Sequence, residues 1–227
     1  MIARAGQSQI LLTDAGYRNT LAALRALSEA GYVVDAVGPP ESSCETSRHL
    51  RRLIHGDILP NQNDAQTLCE HLLREGYAAL LPIGGRSVER IARHADVIAR
   101  HTNVALHHAD AIERCMDKAR LNEHAASIGL HVPRFWRLDH DADVARVADE
   151  ASFPIVVKKR HELDRRPLRI IHDASELRGK APLWQRDGRP QRFPPIAQEF
   201  VEGDGCAFFA LYDRGTLRRW FMHRRLR

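Results

Sequence analysis

The sequence predicts an α/β chain, with an open parallel-sheet domain over residues 1–115 and an incomplete α+β domain over residues 116–227. Three observations lead there. The first hundred residues repeat strand, helix and strand with glycine stops between them. After residue 115 that rhythm breaks into short helices and strands that pair as hairpin arms. The run Cys206–Met222 then reads as one aromatic-rich hairpin turning at Asp213-Arg214-Gly215, because Gly relieves the positive-φ strain of such a turn.

Ile10–Thr13 is a short apolar strand ended by Asp14-Ala15-Gly16-Tyr17. The helix after it puts Leu21, Leu24, Leu27 and Ala30 on one face and stops at Gly31. Tyr32–Gly38 is the next strand, so the three make a βαβ unit with a right-handed crossover. Asn63-Asp64 caps a helix that runs through Leu72, Leu73 and Glu75 to Gly76. Ala78–Ile83 is a buried strand, and Ser87 caps a helix over Val88–Arg100 whose Val88, Ile91, Ala92, Ala95 and Ile98 share a face. Val104–His107 is another strand, and ligand-facing loops are expected at the carboxyl ends of all of these.

Ala111–Met116 and Lys118–Ile128 are two short helices, the second stopped by Gly129. Arg134–Leu138 is a strand, and acidic Asp139–Asp149 holds one helix. Phe153–Lys159 is a strong strand paired with Leu168–Ile171, and Asp173–Gly179 is a short helix. Residues 181–195, rich in Pro, Arg and Gln, read as a mobile exposed loop before the strand Ile196–Val201.

Apolar content of 44% and charged content of 28% are ordinary for a soluble globular protein. No apolar run approaches the roughly 20 residues that span a bilayer, and the first residues lack a secretory apolar stretch, so a cytoplasmic location is expected. Cys44, Cys69, Cys115 and Cys206 show no metal or redox spacing and read as reduced, mostly buried thiols. His107-His108 reads as a polar strand edge. The net charge of +5 favours an anionic partner. Nearly all of the basic residues are Arg, and lysine stands only at Lys118, Lys158, Lys159 and Lys180, which points to places that need a compact ammonium.

Met116-Asp117-Lys118-Ala119-Arg120-Leu121, Phe153-Pro154-Ile155-Val156-Val157-Lys158 and Gln198-Glu199-Phe200-Val201-Glu202-Gly203 together resemble the nucleotide-binding signature of the ATP-grasp superfamily, especially its carbamoyl-phosphate-synthase-like and biotin-carboxylase-like ligases. Residues 1–115 are similar to the pre-ATP-grasp domain. The resemblance implies a partial ATP-grasp domain over 116–227, with a lid subdomain at about 153–197 and the start of a core sheet at 198–227.

The residues agree with an ATP site. Lys118 opens a helix, so its ammonium and the unpaired N–H groups can hold a phosphate; the plainer alternative makes Asp117 a cap and Lys118 a solvated first-turn residue. Lys158 leaves an apolar strand and needs an anion there, whereas Lys159, where the family has proline, faces the other way. By resemblance, Lys158 contacts the α-phosphate and the adenine edge, and the ribbon Gln198, Glu199, Phe200 and Val201 reads adenine. Glu202 or Asp204 takes the ribose hydroxyls. Arg165, Arg166 and Arg224 are further phosphate candidates, although Arg160–Arg166 lacks the glycines of the family's lid loop and is equally readable as an exposed turn.

The implied activity is that of a ligase that phosphorylates a carboxylate with ATP before an amine or thiol attacks. Magnesium is implied as well, its ligands expected beyond Arg227, so the chain is expected to be truncated and inactive alone. No catalytic residue is assigned. Expected partners are the nucleotide and a small carboxylate, with self-association through an unfinished sheet edge. Two other readings remain: a non-catalytic nucleotide-binding protein, or a nucleic-acid module built on Arg214–Arg227 with Trp220 and Phe221 stacking on bases. The doublets Arg218-Arg219 and Arg224-Arg225 count against the last, since they put charge on both strand faces.

Overall fold

Short aliphatic runs separated by glycine-stopped helices give the first unit its sheet. In a computed structural model describing residues 8–55, 57–104, 106, 108–163, 168–180, 185–186, 189–190 and 192–226, the strands are β1 (Gln9–Leu12), β2 (Val33–Val37), β3 (Arg52–Ile54), β4 (Ala79–Leu81) and β5 (Asn103–Val104). All pair in parallel, in the order β3-β2-β1-β4-β5. The order reverses between β1 and β4, which opens a crevice at their carboxyl ends. Leu11, Leu72, Leu80 and Ile98 pack on one side of the sheet, and Ile10, Leu12, Leu24 and Val34 on the other. Strands buried on both faces need continuous apolar runs, which is why these carry no polar alternation.

The helices of this unit are α1 (Arg18–Glu29), α2 (Gln66–Glu75), α3 (Gly85–Arg93), α4 (Ala95–Ile98), α5 (Ala109–Met116) and α6 (Lys118–Ser127). Gly76 ends α2 in the left-handed conformation, at φ 67°. Two expectations are corrected. Ser87 does not cap a helix; it lies within α3, buried, and its hydroxyl donates to Asp14 Oδ1 at 2.9 Å. The single helix over 88–100 is two, because the backbone leaves helical geometry at His94. The thiols also divide evenly: Cys44 and Cys69 are buried, whereas Cys115 and Cys206 are exposed on α5 and on the terminal hairpin.

The chain forms two compact units, Met1–Leu130 with Arg160–Arg165, and His131–Lys159 with Arg166–Arg227. The first extends past residue 115 because α5 packs on α3 and α6 packs on α5.

The second unit contains β6 (Phe135–Arg137), α7 (Asp141–Glu150), β7 (Ile155–Lys158), β8 (Arg169–Ile171), α8 (Ala174–Gly179), β9 (Gln185–Arg186), β10 (Arg189–Pro190), β11 (Ile196–Glu199), β12 (Cys206–Asp213) and β13 (Thr216–Arg224). Four strands make an antiparallel sheet in the order β6-β11-β7-β8. Gln198 and Glu199 belong to this sheet and do not begin a separate one. Trp136, Ile155, Val157, Ile171 and Ala197 face Val144, Val147 and Leu177 of the two helices. Of the expected loop 181–195, residues 181–184, 187–188 and 191 lie outside the described residues, and the others are not all loop, since β9 and β10 pair antiparallel.

The hairpin β12–β13 turns where the sequence places it. Arg214 (φ 49°) and Gly215 (φ 79°) are both left-handed, the geometry that matches strand twist in a two-residue turn. Phe209 stacks on Phe221 with centroids 4.6 Å apart, and both faces of the ribbon are exposed.

Candidate functional site

Asp117 carries the geometry of the first-unit cluster. It is the N-cap of α6, accepting from Ala119 N at 3.0 Å and Arg120 N at 3.3 Å. The same carboxylate accepts from Arg160 Nε at 2.9 and 3.0 Å and from Arg160 Nη2 at 2.8 Å, with both residues buried. Burial pushes the Asp117 carboxyl up, but the Arg160 guanidinium and the cap amides outweigh it and hold it below the usual carboxylate range. Bidentate, charge-assisted pairs of this kind are strong and directional.

Arg160–Glu162 lies antiparallel to Met116–Lys118. Lys118 N donates to the Arg160 carbonyl and Glu162 N to the Met116 carbonyl, each at 2.9 Å, around an isolated bridge between Asp117 and His161. That register sets Glu162 beside Lys118, whose Nζ lies 2.7 Å from Glu162 Oε2. Asp117 is thus the cap that the plainer reading expected, and Lys118 is half-buried and ion-paired. Glu162 escaped sequence reasoning, because its approach to Lys118 depends on a bridge between segments 44 residues apart.

In the second unit, strand alternation puts Ile155 and Val157 toward α7 and α8, and Val156 and Lys158 on the opposite face. Gln198 pairs with Val156 in register, so it is the diagonal neighbour of Lys158 on that face. Lys158 Nζ donates to Gln198 Oε1. Ile196, fully buried, pairs with Lys158 in register. The pair sets an ammonium and a side-chain amide side by side on this face.

Beyond β11 the ribbon is open. Glu199 N donates to the Arg134 carbonyl at 2.8 Å, while Glu199 Oε2 accepts from Arg134 N at 3.2 Å. Phe200 is half-buried; Val201, Glu202 and Asp204 are exposed. Asp204 and Arg224 face each other at 3.5 Å, and Arg218 is paired to Asp213 at 2.8 Å, which neutralises two cations of the basic tail. Arg165 and Arg166 lie outside the described residues.

At the switch point of the parallel sheet, Asp14 adopts φ 60° and accepts from Gly84 N at 2.7 Å, from Ser87 and from Thr13 Oγ1. A cleft of about 420 Å³ beside it is lined by Asp14, Val37, Gly38, Pro39, Asp57 and Leu59. Among the described residues no three His, Cys, Asp or Glu gather to hold a metal ion. No helix among them is long and apolar enough to cross a membrane.

No protein-family model matches the chain. It is 33% identical over 99 residues to D-alanine–D-alanine ligase of Azoarcus sp., a match covering 44% of this chain and 31% of that one. It is 31% identical over 160 residues to the carbamoyl phosphate synthase large chain of Thermus thermophilus, covering 68% and 15%. Among solved structures, N5-carboxyaminoimidazole synthetase of Staphylococcus aureus complexed with ADP superposes with a TM-score of 0.67 at 15% identity, over 96% of this chain and 54% of that one. The biotin carboxylase domain dimer of Hydrogenobacter thermophilus 2-oxoglutarate carboxylase, in complex with MgADP, ADP and bicarbonate, gives 0.65 at 20% identity, over 89% and 46%. The chain therefore spans about half the length of these solved neighbours and a third or less of the curated relatives. A parallel α/β domain followed by a helix-backed antiparallel sheet gives the chain the fold of these solved neighbours, which are ATP-grasp proteins, as are the two curated relatives.

Proposed function

We propose that this chain binds ATP and is the nucleotide-binding part of a carboxylate ligase working in the cytoplasm. One observation carries the reading: Lys158 and Gln198 join on the β6-β11-β7-β8 sheet face opposite the one that packs on α7 and α8, one residue before the Glu199–Asp204 ribbon. Lys158 gives positive charge to an α-phosphate, and Gln198 fixes its direction. Glu199 and Val201 present main-chain groups to adenine, and Glu202 or Asp204 accepts from the ribose hydroxyls. Lys118, at the first turn of α6, takes a phosphate oxygen through its ammonium alone, because that turn's N–H groups are held by Asp117 and the Arg160 carbonyl. Arg165, Arg166 and Arg224 complete the set of cationic contacts.

When bound, ATP would supply a phosphoryl group to activate a carboxylate for attack by an amine or thiol. The chain's own residues then bind, orient and neutralise charge, which is most of what phosphoryl-transfer sites contribute. The biotin carboxylase neighbour is in complex with MgADP, and magnesium bound with ATP would here neutralise charge between the β- and γ-phosphates. The substrate is a small carboxylate; that neighbour is in complex with bicarbonate.

Thermal unfolding with and without ATP tests the reading. ATP at a hundred times its dissociation constant should stabilise the chain by about 2.7 kcal/mol. An unshifted melting temperature at millimolar ATP, in a folded sample, would remove it. Binding without turnover of any carboxylate would favour a non-catalytic nucleotide-binding role.

A further inference from the structure

The strap that follows β7 does more than cross from one element to the next. Two main-chain bonds and the buried Arg160–Asp117 pair fasten residues 160–162 to the entrance of α6. Fastening in that register delivers one carboxylate, Glu162, to one ammonium, Lys118, at 2.7 Å. A carboxylate and a phosphate offer the same thing to a lysine, an anionic oxygen at hydrogen-bond distance. Resting on the nucleotide reading above, we propose that Glu162 is an internal occupant of the Lys118 phosphate position, a latch that an incoming phosphate must displace.

Burial separates the parts that stay from the part that moves. Asp117 and Arg160 are 2% and 8% exposed, so the strap is anchored through groups withdrawn from water. The side chains of Lys118 and Glu162 are 26% and 53% exposed. An ion pair that open to solvent is weak, and a polyphosphate with more charge can replace it. Glu162 can swing toward solvent while the bridge and the Arg160–Asp117 pair remain. The latch is therefore one side chain, and the strap is its fixed mount. It also sets a threshold: nucleotide affinity is lowered by the fraction of time Glu162 holds the position.

The test uses the full chain and its E162Q variant, with circular dichroism to show that both are folded. Because lysine occurs at only four positions, an amine-reactive label read by peptide mass spectrometry reports each one separately. Without nucleotide, E162Q should raise the labelling rate of Lys118 by about two- to five-fold, the range expected for an exposed ion pair, and leave Lys158, Lys159 and Lys180 unchanged. ADP and ATP should bind E162Q more tightly by about the same factor, measured by calorimetry. Equal labelling of Lys118 in the two forms overturns the latch. Faster labelling with unchanged or weaker nucleotide affinity overturns it too, since the contact would then not compete. If neither form binds nucleotide at millimolar concentration while Lys118 labelling still rises, the ion pair stands and the nucleotide reading fails, taking the competition with it.

Discussion

Arg160 grips both carboxylate oxygens of Asp117 while that carboxylate caps α6, so one buried anion joins a strap, a helix start and an isolated bridge. Removing one partner of a buried pair leaves the other charge without compensation, at a cost of about 3–5 kcal/mol. Arg160→Leu should therefore lower the midpoint of urea unfolding strongly. The double change Arg160→Leu with Asp117→Asn should cost less than the sum of the single changes, because neither charge is then stranded. Additive losses in a double-mutant cycle would show that the pair is not the unit.

Lys158 is outside the core packed between the sheet and α7 and α8, so its loss should be felt by ligand more than by fold. Lys158→Met is expected to weaken ATP binding at least about tenfold, the effect of roughly 1.4 kcal/mol, with little change in melting temperature. Calorimetry against the parent chain reads the first and differential scanning the second. Unchanged ATP affinity would exclude Lys158 from the site.

Acid should unfold the first unit through identifiable groups. Asp35 is fully buried in β2; burial raises its pKa, but hydrogen bonds from Arg51 and Tyr77, with the charges of Arg51 and Arg52, outweigh that and hold it below the usual range. A carboxyl depressed in the fold gives stability that is present above its unfolded pKa and lost as pH falls through the folded one. Asp117 follows the same sign. Burial also lowers His71, so its contribution is lost as pH falls from about 6.5 downward. Burial, helped by the Asp35 contact, pushes Tyr77 up to about 12, so its contribution is present below about 10 and lost as pH rises from there toward the raised value. Asp35→Asn should be less stable at neutral pH and show a flatter decline below about pH 4, the ordinary range of a free carboxyl; a parallel decline would count against Asp35.

Gly84 lies close enough to Asp14 that a Cβ would fall 2.7 Å from the carboxyl carbon. Gly84→Ala must push Asp14 off the Gly84 N–H and the Ser87 hydroxyl, losing two hydrogen bonds of about 1 kcal/mol each. Melting temperature checks this, with Gly16→Ala as a control because a Cβ there meets nothing within 4 Å.

The exposed hairpin should drive self-association. Phe208, Trp220 and Met222 are all more than half exposed, and apolar ribbons of this kind recruit other chains. Trp220→Ser with Met222→Ser is expected to shift sedimentation toward monomer at high concentration. An unaltered profile would place association elsewhere or nowhere.

Periodicity made most of this fold legible. The runs Ile10–Leu12, Val33–Val37 and Ile155–Lys158 are dense in aliphatic residues, and Gly31, Gly76 and Gly129 stop helices at positive φ. β3 was hidden because its three residues follow a polar, arginine-rich stretch and are set by pairing with β2, not by their own pattern. Ser87 was misread because a serine near a helix start resembles a cap, while its true partner, Asp14, is 73 residues away. Lys158 and Gln198 were legible as separate motifs, but their contact depends on strand register. Glu162 carried no local signal at all.

The contact of Lys158 with Gln198 also fixes which way the amide points. With the ammonium on Oε1, turning the amide over would set two donors against each other, so Nε2 is committed to the outer side. Lys158 has no acceptor to offer, and the donor end of Gln198 is the one left for a further partner. A neutral amide thereby gains a fixed polarity from the cation beside it, and a partner that brings a lone pair is favoured over one that brings an N–H.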